Sequence, residues 1–500
     1  GDPDELVSSL QAIMQNIAAR TGSAASVSIN GDQLFGILGD EVRIFQARYS
    51  SGTMTGDVLS FALDQATGDV LDTPVWSAAD LLDTRVDAQG HSDRLIITKS
   101  LAGGGGGIPF TYSSISSSGT TLQVAALTPD WSASAAASPE NLVNYLRGQQ
   151  TYELKNAGPF RDRTSRLGDI VNSSPLYYDK MLYVGGNDGM LHALDAGTGE
   201  EMFAYVPGLV YDHLMEYGDP DYSHLFYVDQ TPYAAENVDI SGTDKTVLIG
   251  GLGKGGKGYY ALDITGFSGV TSFASMTEST LANRALWEYP DADTTLDEID
   301  DLGYSFSRAY IYGSNDKTNA PQIVIFGNGY NSENSSAVLF LLNPADGTLL
   351  KRIDTGVTNC NGLSSPALFD DDFGDDVDYI YAGDLRGNLW KFDLTSSAYN
   401  DWGVAFGTDN DLDGSINYAD GDAPQPLFQA QGPGGTIQPI TVEPDFLFHC
   451  NPNRQGMLVV FGTGKYLGPN DISDTSTQAD YGIWDYGDDS QDDEYLGTSR

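Results

Sequence analysis

Apolar and polar positions along this chain keep two different periods. Near the start, Leu6, Leu10, Ile13, Met14 and Ile17 recur at helical spacing behind an acidic first turn, which predicts a helix over residues 3–21. From Val42 the period becomes two. Residues 42–49 and 56–64 alternate as strands, Gly68 turns the chain, and 94–98 is a further short strand before a flexible, Gly-rich tip at 103–107. Residues 132–138 are small and linker-like. Ser138, Pro139 and Glu140 then cap a short helix over 142–146, where Pro in the first turn costs nothing.

After Leu167 one unit recurs: a short strand, a Gly-rich turn, and a second strand, in most copies ending on hydrophobic-Asp. Its copies are 181–195, 246–264, 322–343 and 378–394, with a half-copy at 457–467. Gly186, Gly251, Gly327, Gly383 and Gly462 hold corresponding places at intervals of 56 to 79 residues. No such unit can bury both faces alone, so the copies must stack or close into a ring. Two looser strand clusters, 42–64 and 94–126, bring the count to seven. The pattern therefore predicts an all-β chain, a modified seven-bladed β-propeller with a short N-terminal helix and one internal helix. An open stack of β-sandwiches is the alternative. In domain terms this reads as a helix and joint over 1–29, a propeller over 30–475 with a helical insert at about 138–150, and a closing strand with an acidic tail over 476–500.

Charge narrows the function classes. With 25 basic against 70 acidic residues the formal net charge is -45, which leaves no basic surface to displace counterions from phosphates and excludes nucleic-acid binding. No apolar run is long enough for a membrane-spanning helix, and no signal peptide opens the chain, so Gly1 reads as the start of a processed or excised piece. Cys360 and Cys450 fit neither a disulfide-dense scaffold nor a zinc site, and in an exported protein the expected arrangement is one stapling disulfide.

Two loops carry the spacing of a calcium site. In residues 409–420, Asp409, Asp411, Asp413, Asn417 and Asp420 place side-chain oxygens at loop positions 1, 3, 5, 9 and 12. Ser415 offers a carbonyl at position 7, and Gly414 stands where such a loop must turn sharply. Asp420 replaces the usual final Glu and is shorter, which makes Asp422 a candidate substitute. The second loop fills positions 1, 3, 7 and 9 with Asp370, Asp372, Asp376 and Asp378, while position 5 is Gly374. Crowded carboxylates repel unless a cation sits among them, hence the expectation of bound Ca²⁺. The third acidic run, Asp291, Asp293 and 297–301, lacks the spacing and reads as a solvated loop.

Several ordered motifs carry a resemblance: LGDIVNSSP (167–175), YVGGNDGMLHALDAGTGEE (183–201), GGLGKGGKGYYALD (250–263), FGNGYNS (326–332), YAGDLRGNLWKFDL (381–394), FGTGKYLG (461–468) and YGIWD (481–485). Together they resemble the C-terminal region of the PilY/PilC type IV pilus tip adhesins. Residues 6–28 are similar to the joint that follows a von Willebrand A-like domain in that family. The resemblance implies a modified seven-bladed propeller exposed at the cell surface or pilus tip, association with minor pilins, and a calcium-controlled role in pilus extension, retraction and adhesion to a host or abiotic surface. It also implies that the family's calcium positions fall on Asp370, Asp372, Gly374, the carbonyl of Asp376, and Asp378. No Arg-Gly-Asp tripeptide occurs, so integrin binding is not implied.

Two other classes compete. The repeated unit is also similar to quinoprotein alcohol dehydrogenase propellers, but the adjacent cysteine pair typical of that family is absent, and no hydrolytic or zinc motif occurs. The expectation is a non-enzyme, with His192 in a strand as core. A calcium-dependent building block of an extracellular filament or surface layer is the third reading.

Overall fold

The computed structural model describes residues 24–29, 42–64, 67–102, 105–118, 120–269, 273–291, 294–448 and 456–486. The helix expected over 3–21 lies outside them, as does Cys450; Cys360 is exposed and meets no other cysteine among the described residues. Among the described residues the strands form six sheets of three or more strands and one two-stranded ladder. The chain divides into two compact units, 1–236 with 245–293, and 237–244 with 294–500.

Each repeat copy becomes the centre of its own antiparallel sheet. Met181–Gly186 pairs with Met190–Asp195, Asp244–Gly251 with Tyr259–Asp263, Gln322–Gly327 with Val338–Leu342, Tyr379–Gly383 with Asn388–Asp393, and Met457–Gly462 with Asp480–Asp485. The five corresponding glycines are the last residues of the first-named strands. Two of them are demanded by close approach: a Cβ on Gly327 would lie 2.4 Å from the Ser364 carbonyl oxygen, and one on Gly383 would lie 2.2 Å from Ile440 Cγ2.

Alternation explains why these strands are buried on both faces. In Tyr379–Gly383, Tyr379 and Tyr381 enter a core with Met457, Val459 and Phe461. Ile380 and Ala382 enter another with Ile323, Ile325, Leu339 and Leu341. In the other unit Leu182 and Val184 pack with Phe45 and Val58, whereas Met181 and Tyr183 join Phe203, Leu248 and Tyr260. Within each unit sheet thus stacks on sheet across apolar layers.

Serines that sequence reasoning passed over tie the stack. Gly185 N donates to Ser173 Oγ (2.9 Å), Gly327 N to Ser307 Oγ (2.8 Å) and Gly383 N to Ser364 Oγ (3.1 Å). The same hydroxyls donate onward to the carbonyls of Gln230, Ser364 and Val442, each just ahead of the following sheet. The recurring Ser-Ser-Pro of 173–175 and 364–366 was the available signal.

Three expectations are corrected. The cluster at 94–126 is not a sheet of its own. Ile96–Lys99 runs parallel to Glu201–Val206 (Ala204↔Ile96) and so extends the sheet of the first copy, while Tyr112–Ser118 and Thr121–Ala126 are helices. Nor is there one internal helix. Pro139–Leu146 forms with the expected Ser138 cap, but the longest described helix is Ala78–Gln89, with Ser77 accepting from Asp80 N and Gly90 at its C-terminal end. Its buried Ala78, Leu82 and Val86 sit four apart, a period masked by the charges between them. The third acidic run is no solvated loop: Leu296–Asp301 is a short helix, and Asp301 is buried in an ion pair with Arg352.

Candidate metal centre

The 370–375 loop is clamped at both ends by strands. Ala367–Phe369 pairs with Tyr379–Gly383, and between them Asp376–Val377 turns aside to run parallel to Tyr310–Ser314 of the neighbouring sheet. The Asp370 carboxylate caps the turn, accepting from Gly374 N (3.1 Å) and Asp375 N (2.9 Å). Phe373 and Asp375 take left-handed φ values of 60° and 65°, which those two bonds hold in place. Buried Asp378 anchors the far side through Asp371 N (2.8 Å) and Asn315 Nδ2 (2.9 Å).

This geometry gathers carboxylate oxygens of Asp370, Asp372 and Asp378 within 4.8 Å of one another. The Asp376 side chain does not join them, because it is ion-paired with Lys317. Gly374 fits the crowding: a Cβ there would lie 2.7 Å from Asp372 Oδ1, so a side chain at this fifth position would have to displace the Asp372 carboxylate. Burial raises the pKa of Asp371, with Asp378 adding to it and Lys391 opposing. Tyr312 is raised by burial and by Asp370, Asp375 and Asp376. Negative potential is concentrated at this edge.

The 409–422 loop hangs from an excursion out of the same sheet. The chain leaves after Gly403–Val404 and returns at Phe428–Gln429, both paired to Asn388–Asp393, and the ladder of Gly407–Thr408 with Ala423–Pro424 closes the loop's neck. Asp409, Asp411 and Asp413 come together within 4.8 Å. Asp409 Oδ2 accepts from Gly414 N (3.0 Å), and Gly414 turns with φ 95°. Asp413 Oδ1 accepts from Ser415 N (2.8 Å) and Ser415 Oγ (2.9 Å), and Asn417 Oδ1 from Ala419 N (3.1 Å). Asp420 lies in the short turn Tyr418–Asp420, apart from the cluster. Asp422 closes the loop instead, accepting from Asn410 N (2.6 Å) and Asn417 N (2.9 Å), and those amides lower its pKa. Partial desolvation and the neighbouring Asp413, Asp422 and Asp409 raise Asp411.

Both clusters offer only hard carboxylate oxygens. That donor set suits Ca²⁺ or Mg²⁺, not the nitrogen and sulfur chemistry of zinc.

A third group of charges, which the sequence read only as a core histidine, lies in the other unit. His192 Nδ1 is 2.9 Å from Glu201 Oε1 and Nε2 is 3.1 Å from both oxygens of Asp188, while Arg94 grips Glu201 with two contacts of 2.7 Å. All four side chains are buried. Burial opposes the imidazolium, but Asp188 and Glu201 outweigh it and push His192 up to about 9. Closed to solvent and internally neutralised, this group is structural.

The family model of the PilY1 beta-propeller domain matches residues 172–496. Type IV pilus biogenesis factor PilY1 of Pseudomonas aeruginosa (strain UCBPP-PA14) is 34% identical, the match covering 97% of this chain and 42% of that protein. A Type IV pilus biogenesis factor PilY1 homolog of Xylella fastidiosa (strain Temecula1) is 35% identical over 71% of this chain and 25% of its own length. Among solved structures, the C-terminal domain of Pseudomonas aeruginosa PilY1 is 36% identical with a TM-score of 0.47, over 61% of this chain and 57% of that one. The chain thus spans about two fifths of the length of the first of these relatives.

Proposed function

Because the chain belongs to the PilY1 beta-propeller family, we propose that it is the calcium-binding propeller of a type IV pilus tip protein. In this reading it sits outside the cell with minor pilins, supports surface adhesion, and makes pilus extension and retraction responsive to calcium. The observation that carries it is the gathering of Asp370, Asp372 and Asp378 directly ahead of the 381–394 motif. An ion at these oxygens would remove their mutual repulsion and stiffen a loop braced between two sheets, and so change what that edge presents. The carbonyl of Asp376 is the further ligand. A second ion is proposed at Asp409, Asp411 and Asp413, with the Ser415 carbonyl and Asn417, and with Asp422 rather than Asp420 nearest to a closing role.

Closure into a ring belongs to the same proposal; with 94–126 absorbed into the sheet of the first copy, the described residues supply six sheets of three or more strands against the expected seven blades. The onward serine bonds, repeated from sheet to sheet, support a radial arrangement. One continuous propeller over 30–475 is part of the same proposal.

Calcium titration by calorimetry on this chain, repeated with Asp372→Ala and Asp411→Ala, is the test. Each substitution is expected to remove one binding event and leave the other. Absence of binding below millimolar calcium would sink the metal reading. On cells, Asp372→Ala in the full-length protein should change the number of surface pili as calcium is varied; an unchanged response would separate the metal from pilus control.

A further inference from the structure

The same excursion that carries the 409–422 loop also walls a cavity of about 440 Å³, within the range of roughly 300–1,000 Å³ typical of small-ligand sites. Its polar lining comes from Arg386, Asn388, Gln425 and Gln429, and its apolar lining includes Pro424, Pro426 and Ile437, over Trp390. None of these residues belongs to either acidic cluster.

The floor is rigid. Buried Asp384 accepts from Trp390 Nε1 (2.9 Å) and Asn388 Nδ2 (2.9 Å). Asn388 Oδ1 accepts from Gln429 Nε2 (3.0 Å), and Gln429 Oε1 from Gln431 Nε2 (2.7 Å). This relay fixes the two carboxamides in orientation.

Arg386 differs from most of the other arginines; Arg48 bonds to the Gln46 carboxamide and Arg161 stacks on Tyr217 and Tyr222 instead of pairing with an acid. In a chain of net charge -45, Arg94, Arg147, Arg163, Arg166, Arg284 and Arg352 are each paired to a carboxylate. The exposed Arg386 guanidinium has no ion pair or side-chain hydrogen bond among the described residues, nor has the Gln425 carboxamide. A planar fork of donors left open at a cavity mouth is built for a carboxylate. The lining holds no second charge, so the ligand carries one negative group. Its amides suit hydroxyls, and its prolines and Ile437 suit the C–H face of a ring.

We propose that this cavity binds an acidic sugar, with Arg386 on the carboxylate, Gln425 and Gln429 on ring hydroxyls, and Pro424 and Pro426 against the ring. An acidic peptide is less suited, because the apolar and amide groups surround one compact volume rather than a row of subsites.

The experiment is calorimetric titration with D-glucuronate, D-glucose and a hexaglutamate peptide, on the wild type, Arg386→Gln and Gln425→Ala. Glucuronate is expected to bind, glucose at least about 10-fold more weakly, and Arg386→Gln to lose about 10- to 100-fold for glucuronate with little change for glucose. Gln425→Ala should weaken both sugars alike. Calcium binding and thermal unfolding of Arg386→Gln should match the wild type, which separates a lost contact from a lost fold. Equal binding of glucuronate and glucose, undiminished binding by Arg386→Gln, tighter binding of the peptide, or no binding of any probe would each overturn the proposal.

Discussion

The His192 group and the 370–378 loop both crowd carboxylates together, and they solve the repulsion in opposite ways. Around His192 the chain supplies its own cations: Arg94 and the imidazolium sit within hydrogen-bond reach of Glu201 and Asp188, and water is excluded. In the loop, Asp370 and Asp378 are held by backbone amides and Asn315, and among the described residues the only cation in direct contact, Lys317, is spent on Asp376. Amides orient a carboxylate without cancelling its charge. A carboxylate cluster that brings its own counter-charge is therefore a staple, and one left with amides alone could take up a cation, as proposed for this loop.

Removing charge from the staple should have the largest effect. Glu201→Gln leaves Arg94 buried without its anion and His192 with Asp188 alone, and is expected to cost about 3–5 kcal/mol in urea unfolding. A loss below 1 kcal/mol would mean the group is not the staple described. Acidity offers a second way to break it. The folded pKa of His192, about 9, exceeds its unfolded value near 6.5, so its contribution is complete below about pH 6.5 and is lost as pH rises through 9. Stability is expected to fall by up to about 3 kcal/mol over that window, and His192→Gln should flatten the profile. Glu201, whose pKa is lowered, acts in the reverse sense: its contribution is present above about pH 4.5 and fades as pH falls further.

The receptor should respond to metal where the staple does not. Calcium at 100 times its dissociation constant should add about 2.7 kcal/mol to the wild type and a similar increment to Glu201→Gln. Asp378→Ala should abolish the increment from its own loop and cost about 1–3 kcal/mol without metal, since Asp371 N loses its acceptor and Asn315 Nδ2 keeps only the Val377 and Leu394 carbonyls. Asp411→Ala, on the exposed loop, is expected to stay within about 0.5 kcal/mol of the wild type without calcium while losing one binding event.

Much of this was legible in the chain, and the limits are physical. The repeat was readable because each copy solves the same local problem, two strands and a glycine at a close approach, and Gly186 through Gly462 fall at strand ends as the spacing implied. The acidic loops were readable because their ligands are neighbours in sequence. What stayed hidden depends on distant partners: nothing near Ile96 says that its mate is Ala204, and nothing near Arg94 points to Glu201. The Asp376 side chain illustrates the same limit, since Lys317 takes its carboxylate from another strand. The helix at Ala78–Gln89 was within reach through its Ser77 cap and Gly90 stop, but the charges between its apolar positions hide the period.

The parallel pairing of Ile96–Lys99 with Glu201–Val206 bears on where this molecule can be cut. A fragment beginning at residue 172, where the family match starts, would lack that strand and leave the Glu201–Val206 edge with open amides and carbonyls. Such an edge recruits strands from other molecules, so a fragment trimmed to the family boundary should precipitate or form mixed oligomers where the longer chain does not. During synthesis the early strand waits for about 100 residues, on the order of 5–20 s, before its mate leaves the ribosome. The smallest piece that folds cleanly thus begins well before the repeat does.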